Sequence, residues 1–90
     1  MAESIYFVTA LQNAPAVRER IIQLVPEDSR YELAPDKWMI AYDGLAQEFA
    51  EAAGIRGGDK VVGTGLVLPV STYSGRAPST LWDWLRSKGR

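Results

Sequence analysis

The side chains able to do chemistry in this chain of 90 residues are few in kind: eleven carboxylates, ten cations, and neither cysteine nor histidine. Without a thiol or an imidazole there is no disulfide, no thiolate nucleophile, no Cys/His zinc site and no Ser-His-Asp triad. The carboxylates are then the remaining catalytic candidates. Glu27-Asp28, Asp36, Asp43 and Asp59 all fall in turns or at helix starts, where the ordinary work of such residues is capping and favourable placement near a helix N-terminus. No two of them stand at metal-ligand spacing on one element, and a hard cation needs several convergent oxygens. No catalytic residue, metal ligand or cofactor is assigned, and the chain is read as a non-enzyme.

Gly63-Thr64-Gly65 invites comparison with phosphate-binding loops. A dinucleotide fingerprint needs a third glycine where Leu68 stands, and a Walker loop needs Lys and Ser/Thr where Asp59 follows Gly58. Paired glycines within a β-type run instead mark a bulge or a close approach of two backbones.

The most distinctive segment is C-terminal. Residues 1–59 carry a net charge of −5 and residues 60–90 a net charge of +4, within a total of −1. In the basic part Tyr73, Arg76, Trp82, Trp84 and Arg86 bring together the residue types that anchor protein interfaces, so these five are the candidate partner-binding residues. The structural role to weigh against this has Trp82 and Leu85 packing on a sheet face and Arg76 pairing with Asp83. Cations beside tryptophans also suit nucleic acid through ion pairing and stacking. The aromatic and basic consensus of an RNA-reading strand is missing from WMIAY at 38–42, so nucleic acid is not the favoured partner.

These residues need elements to hold them. IYFVTAL at 5–11 is apolar on both faces, as a covered central strand would be. Asn13 at the N-cap and Pro15 in the first turn open a helix with Val17, Ile21, Leu24 and Val25 on its apolar side, ended by Pro26. Strands at 30–33 and 38–42 flank a turn at 34–37 and form a hairpin. Asp43 caps a second helix with Leu45, Phe49, Ala52 and Ala53 inward, stopped by Gly54 with Ile55 in contact. After a turn at Gly57-Gly58-Asp59, a β-type run spans 60–70, and Pro69 confines it to a sheet edge. A last helix at 78–88 has Thr80 and Asp83 in capping-box spacing.

The order β-α-β-β-α-β plus a C-terminal helix predicts a single α+β domain over residues 1–90, with a ferredoxin-like antiparallel sheet. The first and third strands are expected at its centre and the second and fourth at its edges. No segment reaches the roughly 20 apolar residues of a membrane span, and without a basic stretch, apolar run and small-residue cleavage site at the N-terminus secretion is not expected. A cytoplasmic protein is the default.

IYFVTAL, the YEL and WMIAY hairpin, the AAGI helix end, GLVLPVSTYSGRA and LWDWL resemble small uncharacterised bacterial proteins of about this length. The first strand and hairpin also resemble the VapD-like and CRISPR-adaptation group of ferredoxin-fold dimers. In that group's nucleases an aspartate closing the first strand holds a metal. Ala10 stands at the matching place, so the resemblance implies the fold and a dimer and carries over no catalytic residue. The function expected is self-association and protein binding, as a regulator or in host–phage conflict. The alternative is a nucleic-acid binder or degenerate metal-dependent nuclease. Since the central strands are apolar on both faces, the face away from the two main helices is expected to pack against a second copy, with a terminal helix anchored by Trp82 shielding part of it. Pairing of the edge run at Val67–Val70 with its own copy is a second route, placed after face packing because Pro69 shortens that ladder.

Overall fold

The computed structural model describes residues 3–57, 61–71 and 74–88. Among these the elements run β1 (Ser4–Gln12), α1 (Ala14–Leu24), a 3-10 turn (Glu27–Ser29), β2 (Arg30–Ala34), β3 (Lys37–Tyr42), α2 (Ala46–Ala52), β4 (Thr64–Pro69) and α3 (Ser79–Ser87). The strands form one antiparallel sheet in the order β2-β3-β1-β4. The two most apolar strands therefore take the centre. Pro69 lies on an edge strand, where a missing donor is tolerated.

The sheet separates two apolar clusters. On the first face Tyr6, Val8 and Ala10 of β1 and Trp38 and Ile40 of β3 pack under Val17 and Ile21 of α1 and Phe49 of α2. On the second face Ile5, Met39 and Ala41 pack under Leu81 and Leu85 of α3. The two-residue period of the strands assigns each side chain to its cluster. The second face is thus covered in large part by the chain itself: Ile5, Met39 and Ala41 retain 2, 6 and 3% of their exposure. The face expected to meet a second copy is thus narrower than the sequence suggests: α3 closes it over β1 and β3, and Leu66 and Leu68 of β4 stay exposed. The deciding elements are Leu81 and Leu85, four residues apart and so on one side of a helix.

The paired glycines act through close approach. Between Ala10 and Gln12 the β1–β4 register slips, and the two backbones crowd together. A Cβ on Gly63 would come within 2.5 Å of the Gln12 carbonyl oxygen, and one on Gly65 would run into the Thr9 carbonyl oxygen. The α2 terminus closes as its sequence predicts: Gly54 adopts φ 80°, the Gly54 and Ile55 amides donate to the Glu51 and Ala50 carbonyls, and Ile55 packs on the first cluster.

Several local assignments differ from the sequence reading. Asn13 holds the N-cap place of α1 in the left-handed region, φ 57°, without a side-chain cap. Its Nδ2 instead donates to the Val62 carbonyl at 2.7 Å, tying the helix start to the approach of β4. Asp43 does not cap α2. The chain turns at Gly44, whose carbonyl accepts the Tyr6 hydroxyl at 2.5 Å, and Leu45 takes the N-cap place, its amide donating to Glu48 Oε1 at 2.7 Å. Leu24 and Leu45, expected inward, are 40 and 68% exposed. Each sits at a helix boundary, beyond the turn that contacts the sheet. The fourth strand covers only 64–69 of the expected run, and the turn at Gly58-Asp59 lies outside the described residues. No described helix is long and apolar enough to cross a membrane.

Candidate interaction surface

Of the five candidate partner-binding residues, Tyr73 lies outside the described residues. The other four are divided by the docking of α3. An amphipathic helix of nine residues turns Leu81 and Leu85 into the sheet. Trp82 and Trp84 are half-buried at the margin of the same cluster. The indole Nε1 of Trp84 donates to the Asp28 carbonyl at 3.1 Å, and its ring lies 6.2 Å from that of Tyr31 at a tilt of 52°. Tyr31 Oη and Thr80 Oγ1 share a hydrogen bond of 2.5 Å. Lys88 Nζ stands 6.0 Å from the centre of the Trp84 ring, close enough for a cation–π contribution. Thr80 and Asp83 therefore do not form a capping box: one holds Tyr31 and the other pairs with Arg86. Arg76 is exposed just before α3, and Asp83 is engaged by Arg86 instead of Arg76.

Trp84 is thus largely spent on fastening α3 to β2 and to the 3-10 turn, while Trp82 packs at the margin of the second cluster. The anchor role expected of Trp82 belongs to Leu81 and Leu85, which are 6 and 1% exposed. What α3 shows outward is Arg86, with Arg76 beside its start.

A second surface is built on β4. Val67 packs against the first cluster, so the alternating Leu66 and Leu68 face the other side of the sheet. They lie beside Thr9 and Phe7 of β1 and keep 50 and 47% exposure. On the first face a groove of about 300 Å³ runs between β4 and α2, floored by Ala46 and Ala50 and ended by Ile55 and Arg56. In the sequence this strand ranks behind the open face as a route to a dimer. The signal that identifies it is a run apolar on both faces, without a charge, at an edge.

The opposite edge is furnished differently. Glu32 of β2 accepts from Arg18 Nε at 2.6 Å and from Trp38 Nε1 at 3.3 Å. Its carboxyl is held below the ordinary range, chiefly by the Arg18 hydrogen bond, against some opposing desolvation. Arg30 Nη1 donates to the Val25 carbonyl at 2.5 Å. A depression of about 580 Å³ lies at the start of α1, lined in part by Pro15, Arg18 and Pro35. The guanidinium in it is already committed to Glu32. Among the described residues no group of His, Cys, Asp or Glu is gathered as a metal would require.

No protein-family model, curated protein or solved structure matches the chain.

Proposed function

We propose that this is a ferredoxin-like protein that acts by association, with itself and with another protein, and not by catalysis. The split βαβ reading rests on the strand order β2-β3-β1-β4 with α1 and α2 on one face. The observation that carries the functional reading is the edge strand β4, uncharged, apolar on both faces and half exposed at Leu66 and Leu68. Proteins that work alone blunt such an edge with charge, shortness or cover. Arg76 and Arg86, with the exposed parts of Trp82 and Trp84, form the surface we assign to a different protein partner. The small size of the chain and the resemblance of the IYFVTAL and WMIAY strands support a role as a regulator or host–phage conflict factor, with the cytoplasm as the default compartment.

Light scattering over a concentration series tests self-association: a mass above 9.9 kDa that grows with concentration is expected, and a constant single-chain mass at high micromolar concentration overturns it. A binding assay across rising salt tests the other part. Affinity for nucleic acid falls steeply as counterions are released, whereas association through apolar anchors is nearly level. A strong, steeply salt-dependent affinity for DNA or RNA that is lost in Arg76→Ala and Arg86→Ala would replace the protein-binding reading with the nucleic-acid one.

A further inference from the structure

We infer that two copies of this chain join through their β4 strands, antiparallel across a two-fold axis at Leu66, to make one continuous sheet. The inference rests on the self-association reading and names its surface. The backbone supplies the first argument. The Val70 amide donates to the Ile5 carbonyl at 2.9 Å, directed inward to β1. Residues of a strand alternate in the direction of their backbone groups. Leu68 and Leu66 therefore bond to β1, while Val67 and Gly65 direct N–H and C=O outward. Pro69 falls on the outward side, where its absent N–H takes nothing from the β1–β4 ladder.

That position of Pro69 also selects the register. With the axis at Leu66, Gly65 of each copy opposes Val67 of the other, so both the N–H and the C=O of all four residues are paired, and the Pro69 carbonyls fall beyond the ends of the ladder. Moving the axis to Val67 sets Gly65 against Pro69, which accepts from the Gly65 amide but has no N–H for the Gly65 carbonyl. Moving it to Gly65 sets Val67 against Gly63, whose amide already donates to the Gly54 carbonyl at 3.3 Å. The Leu66 register is the one of the three that leaves neither a Gly65 nor a Val67 carbonyl unpaired.

Side chains and charge agree with it. Thr64–Pro69 contains no charged residue, so the two copies bring no like charges together. The pairing sets Leu66 beside its own copy, with Leu68 diagonal to it, and extends the groove floor of Ala46 and Ala50 across the axis. The β2 edge carries Arg30 and Glu32, so a β2-to-β4 contact that would propagate into a filament is disfavoured and the assembly closes at two. Six-residue strands are about 20 Å long. One strand pair with its flanking side chains is a small contact, toward the weak end of specific interfaces, whose threshold is about 1,000 Å². The dimer is therefore expected to dissociate on dilution.

The absence of cysteine permits a clean test. At the axis the two Leu66 residues form a non-hydrogen-bonded pair with Cα atoms about 4.5 Å apart, inside the range a disulfide bridges. The two Leu68 Cα atoms stand about 14 Å apart, four residues out of register at the strand rise. Under mild oxidation Leu66→Cys is expected to give a disulfide-linked dimer and Leu68→Cys to remain unlinked. Equal linking of both variants means random collision and overturns the inference. Failure of Leu66→Cys to link, while the unaltered chain scatters as a dimer, overturns the β4 interface and leaves self-association standing. A monomer at every concentration overturns both. Amide exchange in the unaltered chain gives a reading independent of any variant's folding. The Gly65 and Val67 amides should gain protection with concentration, with Leu66 and Leu68 protected throughout. Concentration-independent exchange at Gly65 and Val67 counts against the pairing.

Discussion

Replacing Leu85 with alanine tests whether α3 is a structural layer or an ornament on a finished domain. Leu85 is 1% exposed and shares its cluster with Ile5, Met39, Ala41 and Leu81. Truncating a fully buried leucine costs about 2–5 kcal/mol, the upper part of that range applying where the surroundings cannot collapse. Here the floor is a sheet backed by Val8, Trp38 and Ile40 on its other face, all essentially buried, and it is held rigid. The roof is a short helix able to settle. A loss of about 3 kcal/mol follows, out of a total of about 5–13 kcal/mol for a chain of this length. In a domain of this size that lowers Tm by about 15 °C.

The assay is denaturant unfolding followed by fluorescence, with tryptophans distributed for the purpose. Trp38 lies in the first cluster, while Trp82 and Trp84 lie at the margin of the second. Variants keeping only Trp38 or only Trp84 report the two layers separately. In the Leu85→Ala background the Trp84 transition should move to lower denaturant by the amount stated; Trp82→Ala in the otherwise unaltered chain should shift the midpoint less, because Trp82 is only half-buried. A Leu85→Ala protein with an unchanged midpoint would refute the reasoning, since α3 would then not be seated on Ile5, Met39 and Ala41.

Three further outcomes follow from single contacts. Glu32 has its pKa lowered by Arg18, so its contribution is present above the unfolded carboxylate pKa and is lost as pH falls through the lower folded value. With both partners over a third exposed, Arg18→Ala should remove only about 0.2–1 kcal/mol at neutral pH and flatten that acid limb of a pH–stability curve; an unchanged limb would show that Arg18 is not the cause. Gly65→Ala drives a methyl into the Thr9 carbonyl and should destabilise by about 1–3 kcal/mol, read by chemical unfolding, with a neutral result refuting the close approach. Tyr6→Phe leaves the Gly44 carbonyl without its 2.5 Å donor and should cost about 1 kcal/mol, measured by thermal melting; equal Tm values would mean that water replaces the hydroxyl without penalty.

The elements that sequence periodicity located share a property: their burial is decided by neighbours close in the chain. Val17 and Ile21 lie one turn apart on α1, and both are fully buried. The alternation in WMIAY sends Trp38 and Ile40 to one cluster and Met39 and Ala41 to the other. Gly54 and Ile55 close α2 through bonds to carbonyls three and five residues back. Capping was less legible because a short polar side chain has competing offers. Asn13 has the right type and place for a cap, yet Val62, forty-nine residues on, takes its amide. Asp43 yields to Leu45 because the Tyr6 hydroxyl, thirty-eight residues away, holds the turn at Gly44. Contacts at such separation leave no periodic trace.

The interaction residues show the same limit from the other side. Trp, Tyr and Arg mark interfaces because a large ring removes much apolar area from water while its polar tip finds a partner. A helix docking on its own sheet has the same requirement, so composition alone does not separate the two uses. The destination of the indole N–H does. Trp84 donates to Asp28, fifty-six residues earlier, and is therefore committed to the fold. The strand Thr64–Pro69 presents the opposite case: it has no Trp, Tyr or Arg to mark an interface, yet its outward amides at Gly65 and Val67 and its half-exposed leucines are left open within the described sheet. A surface is best identified by the valences its own chain leaves open, and by that criterion the weight moves from α3 to β4.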